Sequence, residues 1–84
     1  MNDEQLAGRI ELDPLVCAGK PVIRGTRIPV SVILDHVAEA HAWEEIVAAF
    51  PELTREDVRA SIVYAKASID RTDIVPASSA GGLG

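Results

Sequence analysis

Paired cysteines are missing from this sequence: Cys17 stands alone. No disulfide can close within the chain, and no Cys/His spacing of the zinc-finger kind occurs. A lone cysteine reads as a small buried hydrophobe. Aromatic residues are scarce, with one Trp, one Tyr and one Phe, at Trp43, Tyr64 and Phe50. The core must therefore rest on Val, Ile, Leu and Ala, and a hydrophobic content of 48% supplies enough of them. No apolar run approaches the ~20 residues that span a bilayer. The opening "MNDEQLAGRI" lacks the basic-then-apolar pattern of a leader. The expectation is a reducing, cytoplasmic setting with no membrane partner. Cations are outnumbered by acids, 8 to 13, for a net charge of −5. That balance argues against nonspecific nucleic-acid binding, which runs on phosphate neutralisation.

What is present is arranged unevenly. "GKPVIRGTRIPV" holds Lys20, Arg24 and Arg27 and no acid. Before it, "RIELDP" alternates and then stops at Asp-Pro, which reads as a short strand and a turn. "PVIRGTRI" reads as a second strand, with Gly25 permitting a bend. From Pro29 the period changes. Val30, Ile33, Leu34, Val37 and Ala38 follow the spacing of a buried helical stripe, with Pro29 where a first-turn proline is tolerated. Trp43, Ile46, Val47 and Phe50 repeat the stripe over a second helix, which Pro51 ends. Thr54 is a good N-cap with Asp57 three residues on. A third helix is expected from about Arg55 to about Ile69, burying Val58, Ile62, Ala65 and Ile69.

At 84 residues the chain is one domain near the lower limit of independent folding. Residues 1–8 are expected to be flexible, 9–69 to form the domain, and 70–84 to be a disordered tail rich in Ser and Gly. The fold class is mainly α: a trihelical helix-turn-helix of homeodomain or winged-helix type, preceded by a short N-terminal β-hairpin. Two short strands are marginal alone, so they need a helix to cover them or the same strands from a second copy, and a dimer pairing through Arg9–Leu12 is the expectation.

Helix-turn-helix proteins set their last helix in the major groove. At about 100° per residue, Arg55, Arg59 and Lys66 share one band of that helix. Arginine reads guanine edges and lysine contacts phosphates. The rival reading is a solvated flank, and Glu56 and Asp57 add negative charge at the same helix start. Lys20, Arg24 and Arg27 could hold phosphate oxygens beside loop amides near Gly25 and Thr26. Equally, Arg27 could pair with Asp13 or Glu11 across the hairpin while Thr26 bonds to backbone.

Enzymatic chemistry finds no foothold. No Ser-His-Asp or Cys-His set can be placed, and the glycines match no phosphate-loop spacing. His36 and His41 are five apart and do not stack on one helix face. His36 with Glu39 reads as a surface pair rather than a metal site. No enzyme activity, cofactor or metal is expected.

"ELDPLVCAGKPVIRGTRIPVSVIL" followed by "EEIVAAFPELTREDVRASIVYA" resembles the small bacterial family called Domain of Unknown Function 433, whose members look like antitoxins of the VapB type. The Gly19-Lys20-Pro21 and Gly25-Thr26-Arg27 pair with Pro29-Val30, and the Pro51-to-Val58 connector, carry the resemblance over residues 10–67. It implies a dimeric helix-turn-helix protein that represses its own operon and restrains a PIN-like nuclease toxin. The family usually carries Gly, a polar residue, then Ser or Thr between the first two helices. Here Ala40-His41-Ala42 stands there, so the turn is expected to differ or the first helix to run on. The second reading is an interaction module without DNA binding. Its acidic surface and tail, anchored by Ile74 and Val75, would cover a basic partner.

Overall fold

The computed structural model describes residues 2–71. It is mostly helical with a short antiparallel hairpin near the N-terminus, as the sequence pattern implies. The elements run α1 (Asp3–Ala7), β1 (Ile10–Glu11), a 3-10 turn (Cys17–Gly19), β2 (Val22–Ile23), α2 (Val30–Ala38), α3 (Trp43–Ala49) and α4 (Arg55–Arg71). The long α4 is the spine against which α1, α2, α3 and β1 all pack.

The hairpin pairs Ile10 with Ile23 and Glu11 with Val22. Its chain leaves β2 through a four-residue turn closed by Thr26 N–H donating to Ile23 O at 3.0 Å. Gly25 occupies the third place of that turn at φ 81°, the value a type II turn requires there. Thr26 completes it: its hydroxyl donates to Ile23 O at 2.8 Å and accepts from Ile28 N–H at 3.0 Å. The chain then enters α2 with Val30 N–H bonded to Pro21 O at 2.9 Å.

The core gathers Leu6, Ile10, Ile23, Val30, Ile33, Ile46, Leu53 and Val58, with Leu34, Val37, Trp43, Val47 and Phe50 packed around it. The stripes expected on α2 and α3 thus face inward, apart from Ala38, which is exposed. Two expectations need correction. Residues 1–8 include a helix rather than a loose segment: Asn2 and Gln5 form a reciprocal capping box, and Leu6 is fully buried against α4. On α4 the buried residues are Asp57, Val58, Ala60 and Ser61, whereas Ile69 is 66% exposed. The helix outruns the core it covers. It also continues through Asp70 and Arg71, inside the span expected to be tail.

The turn between α2 and α3 keeps its tight form without a glycine. Ala40 takes φ 64°, and α2 ends at Ala38. Ala40 N–H donates to Val37 O at 2.9 Å and His41 N–H to His36 O at 3.1 Å. These are the two bonds of a Schellman ending. Ala42 offers no side-chain cap to α3; Glu45 alone reaches back, accepting Ala42 N–H at 2.7 Å. Among the described residues no helix is long and apolar enough to cross a membrane.

Candidate nucleic-acid interface

The connector between α3 and α4 sets the start of the candidate recognition helix. Thr54 and Asp57 cap α4 reciprocally: Thr54 N–H donates to Asp57 Oδ2 at 2.9 Å, and Asp57 N–H to Thr54 Oγ1 at 3.3 Å. Arg9 Nη1 donates to Asp57 Oδ1 at 2.9 Å. Of the two acids expected to oppose DNA at this helix start, Asp57 is therefore buried and neutralised, with a 7% exposed side chain, whereas Glu56 stays exposed. Sequence pattern alone does not mark Arg9 or Leu6 as holding this end of the molecule. The Asn2/Gln5 capping box is the available signal for α1.

With Asp57, Val58, Ala60 and Ser61 turned inward, Arg55, Arg59 and Lys66 lie on the opposite, exposed face of α4. The three cations form one row, as their spacing implies, but they are not equally available. Arg55 is hydrogen-bonded to Glu44 and stacks over the Trp43 ring at 5.1 Å, tying α4 to the first turn of α3. Lys66 Nζ donates to Asp70 Oδ2 at 2.7 Å, one turn further on. That hydrogen bond, and then the Asp70 charge, raise the Lys66 pKa above its ordinary 10.5. Arg59 pairs with no described residue.

The Gly-Thr-Arg turn lies beside the same end of α4. A shallow surface depression is lined by Gly8, Arg9, Ile23, Arg24, Thr54 and Asp57, and Glu52 borders it. A second depression brings Thr26 and Arg27 to Glu52 and Glu11. Within the turn, Arg24 takes the pairing with Glu11, one of the two expected of Arg27. Its Nε donates to Gly8 O at 2.8 Å, and its Nη1 lies 3.9 Å from Glu11 Oε2. Lys20 and Arg27 are exposed, and their side chains pair with no described residue. Thr26 is committed to backbone bonds of its own turn. Ile74 and Val75 lie outside the described residues.

Among the described residues, Arg59, Lys20 and Arg27 have no side-chain partner, whereas Arg55, Lys66 and Arg24 already share an acid or carbonyl.

The sequence pattern of the family described as "Protein of unknown function (DUF433)" matches residues 10–65. The chain belongs to the DUF433 family. A crystal structure of a DUF433 member from Anabaena variabilis ATCC 29413 has the same fold. It is 32% identical with a TM-score of 0.69, over 81% of this chain and 67% of that one. The uncharacterized protein y4eO of Sinorhizobium fredii (strain NBRC 101917 / NGR234) is 37% identical over 68 residues, 79% of this chain. The match takes in only 31% of that protein's length. Family membership supports the fold and leaves the role of the cation row to chemistry.

Proposed function

We propose that this DUF433 protein binds DNA through α4 as a homodimeric helix-turn-helix and acts as an antitoxin that represses its own operon and restrains a PIN-like nuclease. The observation that carries the DNA reading is the row of Arg55, Arg59 and Lys66 on the exposed face of α4, opposite its buried side. Supporting it, Lys20 and Arg27 are exposed without ion-pair partners among the described residues, which leaves their charges available for phosphate oxygens. Arg59, which has no partner among the described residues, would read a base edge, and Arg55 is held by Trp43 and Glu44. The antitoxin role and its toxin partner rest on the family resemblance. Pairing of two copies is supported by Leu12 and Leu15, which are 61% and 90% exposed beside the two-stranded hairpin. Two half-sites about one helical turn apart are expected. Selective, salt-sensitive binding to the DNA upstream of its own gene tests the proposal.

A second reading has an observation of its own. Glu44 and Asp70 neutralise two of the three cations of the row, and the net charge is −5. In that reading the chain is an interaction module that covers a basic protein and binds no DNA. Co-purification of that partner, together with no DNA selectivity, would favour it.

A further inference from the structure

We propose that His36, Glu39 and His41 form a binding site for a divalent transition-metal ion of the zinc, nickel and copper group, on the turn between α2 and α3. Sequence spacing conceals this cluster, because on a continuous helix residues five apart diverge. The left-handed Ala40 reverses the chain and brings them together.

The reason lies in the helix ending. A Schellman turn carries its first and sixth residues into side-chain contact, a place usually filled by an apolar pair. Here those residues are His36 and His41. Their Nδ1 atoms face each other at 2.9 Å, with ring centroids 5.1 Å apart and planes tilted by 40°. Two imidazole nitrogens bound tetrahedrally to one zinc ion, each at ~2.0–2.1 Å, lie about 3.3 Å apart. The observed pair, at hydrogen-bond distance, has to open by only a few tenths of an ångström to hold one ion. Phe50 meets the His36 ring edge-on at 5.4 Å and braces it.

Glu39 supplies the charge. Its Oε1 lies 3.7 Å from His41 Nε2, the ring nitrogen turned away from the Nδ1 pair, and one ligand atom from each of the three residues falls within 4.8 Å of the others, so the exposed Glu39 side chain reaches an ion between the two Nδ1 atoms by rotating toward it. Two imidazoles and one carboxylate suit zinc, nickel or copper. Magnesium and calcium prefer oxygen alone. The side chains stand at the surface, so water can complete the shell.

A bound ion would clamp the end of α2 to the entry of α3, where Ala42 provides no cap and Ala40 is held left-handed. The clamp fixes the geometry of the helix-turn-helix, yet the site stands whether or not α4 contacts DNA.

The test is calorimetric titration of the untagged, full chain with zinc chloride, beside thermal melts with and without zinc. One ion should bind per chain and raise Tm. H41A and H36A should each weaken zinc binding at least 10-fold and abolish the rise, E39Q should weaken it less, and K66A should leave it unchanged. His41 lies on the turn surface, so H41A should lose only its contact with His36 and still melt cooperatively without zinc, within a few degrees of the parent, which separates a failure of ligation from a failure of folding. Equal zinc affinity in the parent and H41A would overturn the proposal and leave the two imidazoles sharing only a proton.

Discussion

Arg9 and Asp57 are joined across the molecule: Arg9 Nη1 donates to Asp57 Oδ1 at 2.9 Å, fastening the residue before β1 to the first turn of α4. The same carboxylate caps the helix through Thr54 N–H. One buried acid thus sets both the hairpin and the candidate recognition helix. Asp57→Ala should cost about 2–3 kcal/mol, because it removes a cap and strands a half-buried guanidinium. The urea midpoint should fall with little change in m. A shift below the equivalent of about 0.5 kcal/mol would deny Asp57 this role.

Ala40 and Gly25 make opposite predictions from the same physics. Both sit left-handed, at φ 64° and φ 81°. A residue with a Cβ costs about 1–2 kcal/mol there, partly offset by the larger entropy glycine loses. Ala40→Gly should therefore stabilise by about 0.5–1 kcal/mol, and Tm should rise by a few degrees. Gly25→Ala should destabilise by a similar amount. A Cβ at Gly25 meets no atom within 4 Å, so the loss would come from backbone conformation alone. Thermal melts of the two variants moving in the same direction would contradict this.

How far the sequence can be read follows from which signals are local. The α2 and α3 stripes, the Thr54 cap and the Gly25 turn are encoded within a few residues of themselves, and they appear where expected. The α1 helix has a single core residue, Leu6, too little for periodicity to register. Ile69 falls on the helical period of Val58 and Ile62, but period does not say where the core ends. The pairing of Arg9 with Asp57 spans 48 positions and has no local signature. A continuous helix would keep His36 and His41 apart, and the left-handed Ala40 breaks that helix. The α4 cation row is legible from spacing. Its partial neutralisation by Glu44, on another helix, is not.

That neutralisation yields a test in which removing an acid strengthens binding. Asp70→Asn releases Lys66 and should raise DNA affinity and steepen its salt dependence. The raised Lys66 pKa means that the contribution of the lysine charge to this pair is present below its ordinary 10.5 and is lost only as pH rises through the raised value. Between roughly pH 6 and 9 the pair adds no pH dependence. Both charges are exposed, so the Asp70→Asn melting temperature should match the parent closely. Reduced affinity would count against contact between Lys66 and DNA.

Arg59→Ala should weaken binding and reduce the salt slope by about 1 for each phosphate left without its cation. Charge reversal at Arg24 and Arg27 should weaken binding to all DNA sequences and flatten the slope further. Thr26→Val should do neither. It should lower stability by about 1–2 kcal/mol, because both hydroxyl bonds of the turn go unmade. A Thr26→Val protein with normal stability and a reduced salt slope would return Thr26 to the interface.

The central claim is DNA recognition by α4, and fluorescence anisotropy of the purified protein tests it most directly. The DNA upstream of its own gene would be compared with scrambled DNA of equal length at several salt concentrations. The account predicts tighter binding to the native sequence, weakening linearly on a log scale with salt, and loss of that preference in Arg59→Ala. Equal or absent binding to both DNAs at every salt concentration would contradict it and leave the acidic interaction module as the working description.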